Sequence, residues 1–197
     1  MDEEGCWSIY AGIVCKPAIC TGSCLSGPDR VADIGCNGHK RHMAQDKAVR
    51  WVPVAGLPEL ALASLDFAYE SAQNRLTVRA YFRDVSDMGF PQFEPPAEGV
   101  IVAFENVEAF KAYEEFTDPL FAEQLEVPML AENVPYGGSW GFIRILGSSW
   151  LARLADRNGS WDADSASHWV VKTGDKVLHV ANISSTVPIF QGWIPPN

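Results

Sequence analysis

Residues 62–70 alternate. Leu65, Phe67 and Tyr69 fall on one side, and Ser64, Asp66, Ala68 and Glu70 on the other. A polar link over 71–75 leads to a second alternating run over 76–84. There Leu76, Val78, Ala80 and Phe82 oppose Thr77, Arg79, Tyr81 and Arg83. Side chains of a strand point to opposite faces in turn, so two such runs and a short link predict an antiparallel hairpin with one wet face. The Pro-rich stretch 90–96 cannot be a central strand and reads as a loop. Residues 100–104 are apolar throughout and predict a central strand.

The period then changes. Asn106 is a candidate N-cap for a helix over 107–116. At 100° per residue, Ala109, Phe110, Ala112, Tyr113 and Phe116 would share one face, opposite Glu108, Lys111, Glu114 and Glu115. Residues 140–146 predict another strand. Residues 149–154 predict a short helix with its cap, ended near Asn158-Gly159. Two β-branched runs, 168–172 and 176–182, flank Thr173-Gly174-Asp175 and predict a second hairpin. The chain ends at Trp193-Ile194-Pro195-Pro196 without periodicity. Hairpins near both ends and helices between strands give an α+β expectation. The predicted domain spans 47–197, a mostly antiparallel sheet with two or three short helices on one face.

Residues 1–46 differ. All five cysteines (Cys6, Cys15, Cys20, Cys24 and Cys36) lie in this Cys/Gly-rich head, which has no sustained period and is expected to be poorly ordered. Met43 is a candidate native start, with 1–42 as an upstream extension; a native head is the alternative. An odd number of cysteines does not fit a fully paired disulfide scaffold. The acidic Met1-Asp2-Glu3-Glu4 is the wrong flank for a secretory signal, and no stretch approaches the ~18 apolar residues of a membrane span. A cytoplasmic location and no membrane partner are therefore expected.

Charge narrows the partners. Residues 84–132 hold twelve acidic residues against the single base Lys111, a balance of −11 within a chain of net charge −10. Such a block repels phosphates, so a nucleic-acid partner is not expected. A basic protein is the natural complement.

Several segments carry a resemblance. Val102-Ala103-Phe104 with Val107-Glu108-Ala109-Phe110 form one. Trp140-Gly141-Phe142 with Ser149-Trp150-Leu151-Ala152-Arg153-Leu154 form another. The last runs from His168 through Thr173-Gly174-Asp175 to Val180. Over 62–183 the chain resembles small acidic bacterial uncharacterised proteins that are similar to immunity partners of toxins. The resemblance implies a neighbourhood with a possible toxin as partner, and no chemistry.

Three candidate sites remain. Cys15, Cys20, Cys24, Cys36, His39 and His42 could supply four ligands to zinc, although paired CxxC knuckles are absent. Gly137-Gly138-Ser139-Trp140-Gly141 matches the GxSxG nucleophile pattern, with Asp and His residues downstream. That elbow needs a strand before Ser139 and a helix after it, and the sequence suggests the reverse. His168 and His179 sit on opposite arms of the last hairpin, where strand-edge packing is expected ahead of metal binding. No catalytic residue, metal or cofactor is assigned. The expected function is a non-enzymatic acidic binding domain, an inhibitor or immunity-type partner of a basic protein. Glu105, Glu108, Glu114, Glu115 and Asp118 would supply charge. Trp140 and Trp150 would be exposed anchors, since interface hot spots favour Trp. The alternatives are a zinc module in the head and a Ser139 hydrolase.

Overall fold

A computed structural model describes residues 46–85, 97–114, 117–118, 125–159, 161–183 and 186–195. The chain divides between Met43 and Ala44, and all of these residues belong to the second unit. The cysteines, His39 and His42 lie outside the described residues, as does the loop expected over 90–96.

Among the described residues, nine strands form two antiparallel sheets. The larger contains β1 (Lys47–Arg50), β5 (Val107–Glu114), β6 (Phe142–Leu146), β7 (Ala166–Lys172) and β8 (Lys176–Ile183), in the order β1-β6-β7-β8-β5. The smaller contains β2 (Leu62–Glu70), β3 (Arg75–Phe82), β4 (Gly99–Phe104) and β9 (Ile189–Ile194), in the order β2-β3-β4-β9. Both expected hairpins form, β2 with β3 and β7 with β8, and β4 lies inside its sheet.

The two sheets share one apolar core. Leu65, Val78, Val102 and Phe104 from the smaller sheet meet Phe142, Trp169, Val171 and Leu178 from the larger. The half-buried Trp51 lies among them, with its ring centroid 6.2 Å from Phe104, 5.6 Å from Phe142 and 5.0 Å from Trp169. Alternation dictates the rest. If Trp169, Val171, Leu178 and Val180 face this core, then His168, Val170, Val177 and His179 must face outward from the larger sheet. That outer face is also covered. Val170 and Val177 pack with Ile143 and Ile145, against Leu125 and Val127. This double coverage buries β7 and β8 almost end to end, including the polar Ser167, His168, His179 and Asn182.

The α+β expectation is overturned. Among the described residues there is one α-helix, α1 (Ser149–Asn158), and a 3-10 turn at Ala163–Ser165. The helix expected over 107–116 is strand β5. Its ladder with β8 runs from Val107↔Asn182 to Glu114↔Lys176, with an irregularity between Val107 and Ala109. Asn106 is no cap; at φ 53° it turns the corner between β4 and β5. Phe110 and Tyr113, which would share a helix face, point to opposite faces of the strand. Phe110 packs on Phe67 and Tyr69 of the smaller sheet, and Tyr113 on His179 of the outer face. Sheet pairing and partial burial on both faces outweigh the helix propensity of Ala, Glu and Lys, a small effect beside tertiary contacts.

Candidate functional site

Strand β6 ends at Leu146, and Gly147 turns the chain at φ 62°, a conformation that favours glycine. Ser148 follows as the N-cap of α1. Its Oγ accepts the Leu151 N–H at 3.2 Å, which satisfies one of the orphan donors of the first turn. Asp46 holds the next residue, accepting from Ser149 N at 2.6 Å and from Ser149 Oγ at 2.9 Å. A carboxylate suits this end of the helix dipole. At the other end Gly159, at φ 62°, closes α1 by donating its N–H to the Ala155 carbonyl.

Beneath α1 lie the two outward-facing histidines. His168 of β7 pairs in register with Ala181, and His179 of β8 with Val170 on one side and Lys111 of β5 on the other. The two imidazoles are therefore diagonal neighbours across the β7–β8 ladder, close enough to touch. His168 Nε2 lies 2.9 Å from His179 Nδ1. Ser148 Oγ lies 2.8 Å from His168 Nδ1, and Asp118 Oδ2 lies 2.8 Å from His179 Nε2. The four side chains form one line: Ser148, His168, His179, Asp118. Their exposures are 8%, 0%, 0% and 1%, so the line is sealed from solvent. Trp150 closes it from α1, 4.8 Å from the His168 ring and 6.2 Å from the His179 ring. Lys111 Nζ sits 4.7 Å over Trp150 and 5.1 Å over Tyr113.

The partners assign the protons. Asp118 as a carboxylate can only accept, so His179 donates from Nε2 and accepts at Nδ1. His168 then donates from Nε2 and accepts at Nδ1, where the Ser148 hydroxyl donates. Ser148 can give its proton away because the Leu151 N–H occupies it as acceptor. Three contacts use three protons, and none is left over. Burial holds the His168 pKa well below the ordinary value, helped by the neighbouring His179 and Lys111. Burial also lowers His179; its hydrogen bond to Asp118 and the Asp118 charge oppose this, and Lys111 reinforces it. Both rings are neutral at pH 7.

Serine, histidine and aspartate in line invite comparison with a nucleophilic triad. Unlike Ser139, Ser148 does follow a strand and precede a helix. Its surroundings do not suit attack on a substrate. The hydroxyl oxygen is buried and caps a helix. The Ser149 N–H, a natural oxyanion donor, is taken by Asp46. The Leu151 N–H is taken by Ser148 Oγ, and the Ala152 N–H by the Ser148 carbonyl. What the line does is tie α1, β7, β8 and the connection after β5 together. Ser139 itself forms an isolated bridge with Met129, and the strand β6 follows it.

The expected binding residues separate. Glu108 and Glu114 are exposed on β5, and Glu105 is half-buried just before that strand. Glu108 accepts from Asn158 Nδ2 of α1 at 2.8 Å. Glu115 lies outside the described residues. Asp118 is not a surface charge, being buried against His179. Trp140 is not an exposed anchor either. It is 1% exposed, donates from Nε1 to the Trp51 carbonyl at 2.8 Å, and carries the Arg50 guanidinium 3.7 Å above its ring. Trp150 is half-buried over His168. The histidines do not pack at a strand edge, because β7 and β8 are interior strands. Among the described residues, no three His, Cys, Asp or Glu side chains converge as metal ligands. Periodicity supplies neither Ser148 nor Asp118: the sequence marks a cap near the start of the 149–154 helix without singling out Ser148, and Asp118 reads there as a surface charge.

No helix among the described residues is long and apolar enough to cross a membrane. No protein-family model, curated protein or solved structure matches the chain.

Proposed function

We propose that this protein is a non-enzymatic binding domain, an acidic inhibitor or immunity-type partner of a basic protein, working in the cytoplasm. One observation carries the reading. Glu108 and Glu114 are exposed on β5, an edge strand of the larger sheet, and Glu105 stands at its start. The polar group that most resembles a catalytic site is spent on holding the fold. Acidic side chains along an exposed edge discourage pairing with other acidic or neutral strands and favour a basic partner. They would act mainly on the rate of encounter, through the long-range field.

The test is kinetic. A basic protein captured from native lysate on the immobilised chain is identified, purified and measured by surface plasmon resonance across a salt series. Glu108→Lys with Glu114→Lys is expected to slow association at least tenfold at low salt. Salt itself should slow the wild type, because the Debye length shrinks to ~8 Å at physiological ionic strength. An association rate indifferent to both salt and charge reversal would remove the proposal.

A further inference from the structure

We propose that Ser148, His168, His179 and Asp118 form an acid-sensitive latch, which frees α1 from the outer face of the larger sheet when the imidazole pair takes up protons. This does not depend on the binding role proposed above.

The latch follows from proton counting along the line. Three contacts hold three protons, one each from the Ser148 hydroxyl, His168 Nε2 and His179 Nε2. One added proton makes four for three contacts. If His179 receives it, Nδ1 becomes a donor and must give to His168 Nε2. His168 then has to carry its proton on Nδ1 and give to Ser148 Oγ. That oxygen already accepts the Leu151 N–H. Its two acceptor positions are now full, and its own buried proton has lost its acceptor. If His168 receives the proton, its Nδ1–H meets the Ser148 hydroxyl with the same result. Either way the disturbance arrives at the N-cap of α1.

A second proton costs more. Both rings would be cations, with centroids 5.2 Å apart and N–H facing N–H across the middle contact. Among the described residues, the charged and titratable groups that face the pair can be named element by element. Asp118 supplies one carboxylate. β5 supplies Lys111, a further cation, and the neutral Tyr113. α1 supplies Trp150 above the pair, while its Arg153, Asp156 and Arg157 are exposed. Asp46 is engaged with Ser149. On the same outer face, β6, β7 and β8 carry the apolar Ile143, Ile145, Val170 and Val177. Burial of a charge without a partner is unfavourable, so the charged pair is stable only where water reaches it. Lifting α1 and Trp150 provides that access.

The sign is fixed by the neutral state of both rings in the closed form. Once opened, each imidazole titrates near its ordinary value of about 6.5. The opened form therefore binds more protons below that pH, and closure is fully present above it and lost as pH falls toward the lowered values of the buried rings. Two linked protons raise the opening constant by up to about a hundredfold per pH unit in that window.

Hydrogen exchange of the full chain, read by mass spectrometry over residues 149–158 from pH 7.5 to 5 and corrected for intrinsic exchange, measures the latch. The opening constant of α1 is expected to rise more than tenfold per unit below pH 6.5, and more steeply than that of β3. In His168→Gln the steepness should fall by about one proton, or roughly tenfold per unit. Should that variant not fold, wild-type imidazole nitrogen NMR decides. The two rings with contacts to Trp150 are expected to be neutral Nε2–H tautomers at pH 7 and to stay neutral well below pH 6.5. Protection of α1 that ignores pH, or rings that titrate near pH 6.5 with α1 still closed, would overturn the latch.

Discussion

Replacing Ser148 by alanine removes two jobs at once. The Leu151 N–H loses its cap, which costs about 1 kcal/mol in typical helices. The His168 Nδ1 lone pair, fully buried, loses its donor, and an unsatisfied buried polar group costs about 1–3 kcal/mol. Together the variant should lose about 2–4 kcal/mol. Ser149→Ala is the matched control one residue away. Its hydroxyl contacts only the Asp46 carboxylate, which keeps the Ser149 N–H, so about 1 kcal/mol is expected. Urea unfolding of both variants and the wild type, followed by circular dichroism, gives the comparison. Unchanged m-values would place the difference in stability rather than in compactness. If Ser148→Ala loses no more than Ser149→Ala, Ser148 is an ordinary cap and the line of hydrogen bonds does not hold the fold.

Trp140→Phe keeps most of the buried ring but leaves the Trp51 carbonyl without its indole donor. A loss of about 1–3 kcal/mol is expected in the same unfolding assay, and a neutral result would remove Trp140 from the interior hydrogen-bond network. The charge reversals Glu108→Lys and Glu114→Lys should each change stability by less than about 0.5 kcal/mol, because both side chains are exposed. A larger effect would show that β5 uses them for folding and would weaken their assignment to a partner.

What the sequence disclosed depends on how many solutions each pattern admits. Alternation over Leu62–Glu70 and Arg75–Phe82 admits one, and the β2–β3 hairpin forms as read. The turn at Thr173-Gly174-Asp175 likewise fixes β7 against β8. The segment Val107–Glu114 admits two. Its apolar residues satisfy a helical stripe, and they equally satisfy a strand partly covered on both faces, with Phe110 packed against the core and Tyr113 on His179. Only the β8 partner distinguishes them, and partners are not visible locally. β1 is too short to show a period, and β9 carries an extra residue near Gln191 that breaks its alternation. The site divides in the same way. A pair of histidines flanking a turn was legible, because diagonal neighbours can be counted outward from the turn. Asp118 looks in the sequence like the eleven other acids around it, and its burial against His179 is a tertiary fact 61 residues away.

The central claim is that four side chains act as one hydrogen-bonded line, with Ser148 and Asp118 linked through two imidazoles. A double-mutant cycle of Ser148→Ala and Asp118→Asn, measured by urea unfolding at pH 7.5, tests it most directly. Residues in one network couple by about 0.5–3 kcal/mol, whereas independent sites add within about 0.3–0.5 kcal/mol. The line predicts a coupling near 1 kcal/mol or more between its two ends. Simple additivity of the two losses would contradict it.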